Sequence, residues 1–395
     1  MYDLIIIGGG PSGSAAGRLA GKLGLETLLI EKETFPRYKP CGGAFSEQAM
    51  SYLDFDLPQH IHEREIYGAR VHFRGQVIER HKKNRMATLV TRSILDDYLL
   101  KKAKETGIET IIGEKIIDYK ENNDYVEVFT KDNVYKSKFV IIAEGSQGRL
   151  KNKIRKRDKK DEYCICIVTE IEEDNETIDK YIHHAIDIHF GVANMGYGWI
   201  FPHEKYYSVG IGGLAKDLPH PKNTMMDFLQ VNGFEGKYEL RGHLIPLGGI
   251  KRDITSSRIV LSGDAGGFVD PFYGEGISYA IRSGQIAVEV ISGILLRNNR
   301  LSSLKDYESI CKREFADNLK YALMLSRIMH GFPGIFFKML TGNVDVIDKY
   351  LEVPTLQKTY KSYIKWLIPR VPKYFLFKSQ KDNNDQFIPP PMKKR

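Results

Sequence analysis

Tyr2-Asp3-Leu4-Ile5-Ile6-Ile7-Gly8-Gly9-Gly10-Pro11-Ser12-Gly13 reads as a strand running into a glycine-rich turn. An apolar run without polar alternation predicts a strand covered on both faces, as in a parallel sheet. The following Ser14-Ala15-Ala16-Gly17-Arg18-Leu19-Ala20 predicts a small-residue helix. A second apolar strand, Thr27-Leu28-Leu29-Ile30, ends in Glu31, 18 residues after Gly13. G-x-G-x-x-G alone is a weak signal, but strand, turn, helix, strand and acid in this order indicate dinucleotide binding. Gly8 permits the tight turn, Gly10 admits a pyrophosphate against the backbone, and Gly13 lets the helix pack closely. The helix N-terminus offers N–H groups to phosphates, and Glu31 accepts hydrogen bonds from a ribose. Pro11, Ser12, Ser14 and Lys32 complete this candidate set.

Outward from this unit, a Pro/Gly-rich loop over 35–43 carries a lone thiol, Cys41. Residues 66–89 alternate as β structure. Arg92 opens a helix whose Leu95, Leu99 and Ala103 form a buried stripe. Strands are expected at 108–112, 125–130 and 139–143, the last ending in Ala143-Glu144-Gly145. A second β-rich region covers 163–247. The nucleotide fold resumes at Ile259-Val260-Leu261-Ser262-Gly263-Asp264, and Gly274-Glu275-Gly276 precedes a long helix from Ile277. From about residue 301 the pattern is helical, with a frayed tail over 389–395.

Composition limits the classes. With 395 residues, 42% hydrophobic and 11% aromatic, the chain has enough apolar side chain for real cores and is not a disordered protein. No stretch approaches the roughly 20 uninterrupted apolar residues of a spanning helix. The N-terminus enters a strand with no basic leader, so a cytoplasmic protein is expected. Cys41, Cys164, Cys166 and Cys311 lack C-x-x-C spacing, and the histidines, His183, His184 and His189 included, show no ligand set; no metal is expected. The net charge of +8 is uneven: residues 331–395 hold 12 Lys/Arg against 5 Asp/Glu, and residues 149–160 hold 8 against one. Segment 361–378 mixes Tyr, Trp, Phe and Leu with Lys and Arg and no acid, which suits an anionic membrane surface rather than nucleic acid.

Three separated segments, the glycine turn with Glu31, Ala143-Glu144-Gly145, and Ser262-Gly263-Asp264 before Gly274-x-Gly276, resemble the para-hydroxybenzoate-hydroxylase-like flavoproteins over about residues 1–300. The resemblance implies an α/β (α+β) fold in which a Rossmann-type FAD-binding domain (1–60, 90–160 and 250–300) is interrupted by a mostly antiparallel β-sheet substrate domain (61–89 and 161–249). A helical C-terminal region (301–395) follows. It also implies that Asp264, after Gly263, holds a ribityl hydroxyl and that Arg92 lies near the FAD phosphates. A strand near Ile116 passes the adenine, and the helix from Gly276-Ile277 points its N-terminus at the flavin, where its dipole favours negative charge.

Two further motifs narrow the group. Lys39-Pro40-Cys41-Gly42-Gly43 looks like the Cys-Gly loop of the geranylgeranyl reductases, and Tyr197-Gly198-Trp199-Ile200-Phe201-Pro202 matches their Y-x-W-x-F-P. Asn194 replaces the usual Pro, and Glu144-Gly145 replaces Asp-Gly. The resemblance implies FAD-dependent saturation of geranylgeranyl chains, including those of archaeal ether lipids, with Cys41, Gly42 and Gly43 at the flavin. Tyr197, Trp199, Phe201, Pro202 and Phe272 would line an apolar channel. An alkene reductase needs a proton donor in such a channel; a thiol that stays largely protonated at neutral pH makes Cys41 the candidate, with Glu275 its competitor. The electron donor is open between NAD(P)H, a reduced deazaflavin and a ferredoxin. Two rival functions remain: an FAD-dependent monooxygenase of an aromatic or quinone-like substrate, and a non-catalytic flavin sensor or membrane adaptor.

Overall fold

β1 (Tyr2–Ile7) has neighbours on both sides, which is why it carries no polar alternation. It runs parallel to β2 (Thr27–Glu31) and to the second half of β11 (Val134–Ile142). The computed structural model describes residues 1–182, 184–296, 303–354 and 357–372, and elements are numbered along the chain. β8 (Glu109–Ile112) extends the parallel part beyond β2, and β17 (Ile259–Leu261) pairs in parallel with β11. β10 (Val126–Phe129) and β9 (Asp118–Glu121) add an antiparallel flap to β11. Helices α1 (Pro11–Lys22), α3 (Arg92–Lys104) and α6 (Ile277–Leu295) pack together, α1 touching both others, and α7 (Lys305–Cys311) packs on α6. Leu95, Leu99 and Ala103 form the buried stripe of α3, and Leu4, Ile5 and Ile6 are wholly buried. These elements make one compact unit: Met1–Lys39, Arg92–Lys159 and Ile245–Lys320.

The second unit comprises Pro40–Thr91, Lys160–Leu244 and Tyr321–Arg395. Its main sheet has the order β16 (Arg241–Pro246), β12 (Tyr163–Glu172), β15 (Tyr206–Leu214), β14 (Tyr197–Pro202), β13 (Ala185–Phe190), β5 (Gly68–Phe73), β6 (Gln76–His81). Only β13 and β5 are parallel among the registered pairs. A small sheet joins β3 (Ala44–Ser46), β7 (Ala87–Leu89) and β4 (Arg64–Ile66), with α2 (Glu47–Ser51) after β3. Alternation along β14 sorts its side chains. Ile200 joins the core beneath α4 (Asn175–Tyr181) and α5 (Pro221–Val231), while Trp199 and Phe201 join a separate aromatic cluster. α8 (Asp317–Gly331) crosses the unit boundary and leads to α9 (Pro333–Gly342), α10 (Val344–Tyr350) and α11 (Tyr360–Leu367).

The α/β class, the interrupted nucleotide fold and the helical C-terminal region are as expected; the unit limits differ. Residues 40–60 cluster with the second unit because β3 pairs with β7, and the C-terminal region divides between the units at residue 320. Two helices, α4 and α5, interrupt the stretch read as β-rich. Among the described residues no helix is long and apolar enough to cross a membrane.

Candidate active site

In the first unit the glycine turn is held by what surrounds it. Gly8 has φ +109°, and a Cβ there would stand 2.4 Å from the Ala143 carbonyl oxygen. The Gly9 N–H donates to Glu31 Oε2 at 2.6 Å and the Glu33 N–H to Oε1 at 2.8 Å, so the buried Glu31 carboxylate ties the turn to the end of β2. Each oxygen keeps a second lone pair for a ribose hydroxyl. The Ser14 hydroxyl closes the turn onto the Gly9 carbonyl at 2.8 Å. No side chain caps the N-terminus of α1, and its first turn holds no acid. Ser12 is where the distant segments meet. Its Oγ lies 2.7 Å from Ser262 Oγ, a Cβ on Gly263 would stand 3.2 Å from its Cβ, and one on Gly284 of α6 would stand 2.3 Å from its carbonyl oxygen. At the start of α6, which begins at Ile277 after Gly276, Asp264 Oδ1 lies 3.2 Å from where a Gly276 Cβ would be.

Beside this turn stands a cation cluster that sequence reading only partly found. Arg92 Nε and Nη2 grip the wholly buried Asp96 at 2.9 Å each, and Arg37 Nη2 reaches Asp96 Oδ2 at 3.1 Å. The same Arg37 Nη2 would lie 3.6 Å from a Cβ on Gly10, with no other atom beyond the adjoining turn within 4 Å among the described residues. Burial pushes the Lys39 ammonium down to about 8; Asp264 and Asp96 oppose the fall, and Arg92 and Arg37 add to it. Arg37, Lys39 and Arg92 gather here beside uncapped helix N–H groups and the space at Gly10, and cations with free N–H groups suit an FAD diphosphate. The residues present therefore fit FAD: Gly8 to Ser14, Glu31, Arg37, Arg92, Asp264 and the Gly276-Ile277 helix start would hold it. The unused sequence signal was Arg37-x-Lys39 in the loop after Glu31.

Other expected contacts stand elsewhere. Ile116 is buried in the core, but in the loop before β9 rather than on a strand. Lys32 is exposed and pairs with Glu33 at 3.4 Å. Gly145 has φ +76° with open space around it, and Gly274 has φ +70°. Glu144 accepts from the Leu150 and Lys151 N–H groups at 3.2 and 2.8 Å, capping a short helix. Phe272 is buried, 5.6 Å from Tyr273, on a turn that Asp270 holds through the Phe272 and Tyr273 N–H groups. We expect Arg37→Ala to weaken FAD binding about tenfold, since a hydrogen bond to a charged group contributes about 1.5 kcal/mol or more. Flavin fluorescence titration of apoprotein reads this directly, and an unchanged dissociation constant would remove Arg37 from the phosphate cradle.

The second unit brings the other two motifs together. A Cβ on Gly42 would stand 2.8 Å from the Phe201 ring and 3.3 Å from Trp199 Nε1, so the Cys41-Gly42-Gly43 loop lies directly on the aromatic face of β14. Tyr197 meets Trp199 edge to face with centroids 6.2 Å apart, and Trp199 meets Phe201 at a tilt of 46° with centroids 6.3 Å apart. The Ser208 hydroxyl donates to the Cys41 carbonyl at 3.4 Å. All four cysteines are free, and Cys41 is partly exposed. Burial pushes the Cys164 thiol up to about 12 and raises Cys166 and Cys311 strongly. Pro202 ends β14, and the next residue, the wholly buried His203, contacts the loop; neither it nor its partner Glu63 was singled out in the sequence.

On the opposite face of that sheet, His72, Asp187 and His189 offer ligand atoms within 4.8 Å of one another. Their geometry suits packing rather than a metal. The two imidazoles stack in parallel, centroids 4.0 Å apart and 6° between planes, so their in-plane lone pairs do not converge, and Arg70 Nε stands 3.5 Å from Asp187. His183 lies outside the described residues. Burial pushes His189 down to about 3, with His72 and Arg70 adding to the shift. The folded state thus holds His189 neutral where the unfolded chain, near 6.5, takes up a proton. This contribution to stability is complete above pH 6.5 and is lost as the pH falls towards 3. We expect the urea midpoint to drop less between pH 7 and pH 4 in His189→Phe than in the parent; equal drops would exclude His189 as a source.

Residues 3–145 match the family model described as FAD dependent oxidoreductase. The chain is 29% identical to the digeranylgeranylglycerophospholipid reductase of Methanocaldococcus jannaschii, over 95% of this chain and 97% of that one. It is 28% identical to the geranylgeranyl diphosphate reductase of Rhodobacter capsulatus, over 79% and 82%. A solved geranylgeranyl bacteriochlorophyll reductase-like protein from Thermoplasma acidophilum shares the fold, with TM-score 0.76 at 22% identity over 94% of this chain and 97% of that one.

Proposed function

We propose that this chain, an FAD-dependent oxidoreductase related to geranylgeranyl reductases, saturates carbon–carbon double bonds of geranylgeranyl chains in prenyl lipids of the archaeal ether type. The observation that carries this is the Cys41-Gly42-Gly43 loop lying on the Tyr197, Trp199 and Phe201 face within one unit. When bound and reduced, FAD supplies the hydride. Cys41 supplies the proton to the other alkene carbon. An isolated trisubstituted alkene is a poor electrophile, and protonation develops tertiary cation character that aromatic faces stabilise by ~1–2 kcal/mol in a dry site. Trp199 and Phe201, both buried, keep water away. The electrons come from a nicotinamide, a deazaflavin or a ferredoxin. Reduced enzyme given a digeranylgeranyl lipid should yield product heavier by about 2 Da per double bond, each saturation adding two hydrogens. Oxygenated product from an aromatic or quinone-like compound in air would make it a monooxygenase instead.

A lipid substrate calls for access to a membrane surface. Met324, Ile328, Phe332 and Ile335 are 39, 48, 62 and 48% exposed, spaced as one side of α8 running into α9. Arg327 is exposed among them, and residues 321–335 contain no acid. Exposed Lys361, Lys365, Ile368 and Arg370 give the α11 region the same character, and Lys361 Nζ lies 5.7 Å from the Tyr321 ring at the α8 end. Residues 373–378 of the basic aromatic stretch, and the tail, lie outside the described residues. Apolar and cationic groups without acid suit an anionic leaflet. We expect salt-sensitive binding to anionic vesicles that falls in Phe332→Glu and on deleting 361–395; undiminished binding by both would reject the surface.

A further inference from the structure

The Gly42–Gly43 peptide is held at both ends. Its carbonyl oxygen accepts from His203 Nε2 at 3.0 Å, and its N–H faces Cys41 Sγ with nitrogen to sulfur 3.4 Å. In a trans peptide these two groups point in opposite directions, so whatever fixes the carbonyl fixes the N–H. Glycine on both sides leaves the plane little resistance of its own to a flip, and Gly43 sits at φ +76°.

His203 is itself tightly placed. Its Nδ1 lies 2.6 Å from Glu63 Oε2, and its ring stacks on Tyr206 with centroids 4.2 Å apart and 12° between planes. Both ring nitrogens therefore face acceptors, an arrangement that needs a proton on each when Glu63 is ionised. Burial pushes the Glu63 carboxyl up, but His203, Thr91 and the Glu204 N–H bond to it and together bring it below the usual carboxylate range. Tyr206 OH meets Thr91 Oγ1 at 2.9 Å, and Thr91 donates to Glu63, so the pair is braced from behind. A Cβ on Gly43 would stand 2.6 Å from His203 Cε1, which keeps ring and loop in contact.

We propose that His203, backed by Glu63, is a positioning residue that locks the Gly42–Gly43 peptide with its N–H turned to the Cys41 sulfur. This rests on the reading of Cys41 as proton donor. An N–H aimed at the sulfur donates to one of its lone pairs and so fixes where the thiol stands; a released peptide leaves the side chain free to turn away. His203 does not touch the lipid; it acts through the peptide.

The test uses full-length protein with FAD bound. The rate of Cys41 alkylation by iodoacetamide, located by peptide mapping, is followed against pH in the parent, His203→Leu and His203→Gln, together with FAD content. Cys166 on β12 and Tyr206 on β15, which interact electrostatically with Cys41, are both pushed up by burial. The Arg64 guanidinium, 3.5 Å from the His203 carbonyl, pairs with Asp179. In His203→Leu we expect Cys41 alkylation about tenfold slower at neutral pH, with FAD retained, because the unlocked peptide no longer holds the thiol in place. His203→Gln, whose amide N–H still reaches the Gly42 carbonyl, should recover most of the rate. A parent-like profile in His203→Leu would overturn the proposal. Should that variant not fold, nitrogen NMR of the parent decides: two ring N–H groups on His203 support the lock, and an unprotonated Nε2 overturns it. Alkylation needs no lipid, so this can fail while lipid saturation stands, and the reverse.

Discussion

Cys41→Ala protein should keep its FAD and its reduction by dithionite, yet saturate prenyl alkenes roughly 10²- to 10³-fold more slowly, the range lost with a general acid. The separation follows from where the groups lie. The glycine turn, Glu31, Arg37 and Asp264, proposed to hold FAD, belong to the first unit, whereas Cys41 belongs to the second, so losing the thiol should leave FAD binding intact. Nearby acids are poor substitutes: Glu63 is engaged by His203 and Thr91, and burial holds Cys166 in its thiol form. Cys41→Ser should retain little activity because a hydroxyl is far less acidic than a thiol. Rates near the parent's in Cys41→Ala would move the proton donor elsewhere, Glu275 of the first unit being next in line.

Gly13→Ala should cost the protein its cofactor. A Cβ there would stand 1.8 Å from the Gly8 carbonyl oxygen and 2.9 Å from its carbon, so either α1 leaves β1 or the turn opens. Overpacking of this kind costs about 1–3 kcal/mol, and a displaced helix N-terminus no longer meets the phosphates. We expect FAD affinity down about 100-fold with a lowered melting temperature. Gly10→Ala is the contrast. Among the described residues its Cβ would meet Arg37 Nη2 alone beyond the turn, at 3.6 Å, so the apoprotein should melt like the parent while FAD, which needs that space, binds poorly. A Gly13→Ala protein that is yellow and melts normally would mean the turn tolerates rearrangement.

These contrasts show which parts of the molecule were open to sequence reading. β1, the turn, α1 and Glu31 were legible because one local pattern specifies strand, turn and helix, and the buried Leu95, Leu99 and Ala103 stripe because helical spacing reports burial directly. The aromatic face of β14 was legible by alternation. Side-chain partnerships across long separations were not: Arg37 with Asp96, His203 with Glu63, and the pairing of β3 with β7 that carries Cys41 into the second unit. A lone histidine after a proline carries no periodic signal. Helix α5 was missed although Met225, Phe228 and Leu229 have helical spacing, because the flanking strands dominated that stretch. The strand that the family resemblance implies near Ile116 is a loop leading into β9.

An anaerobic single turnover joins cofactor, thiol and lipid in one measurement. Enzyme reduced stoichiometrically at its FAD is mixed with a lipid bearing two geranylgeranyl chains, and the lipid is weighed by mass spectrometry while flavin absorbance is followed. One double bond should be saturated, with a gain of about 2 Da, for each FAD reoxidised, since a two-electron carrier delivers one hydride. In Cys41→Ala the lipid should keep its mass and the flavin stay reduced. Flavin that stays reduced with the parent enzyme and intact lipid, or that reoxidises without any gain in lipid mass, would contradict alkene saturation by this protein.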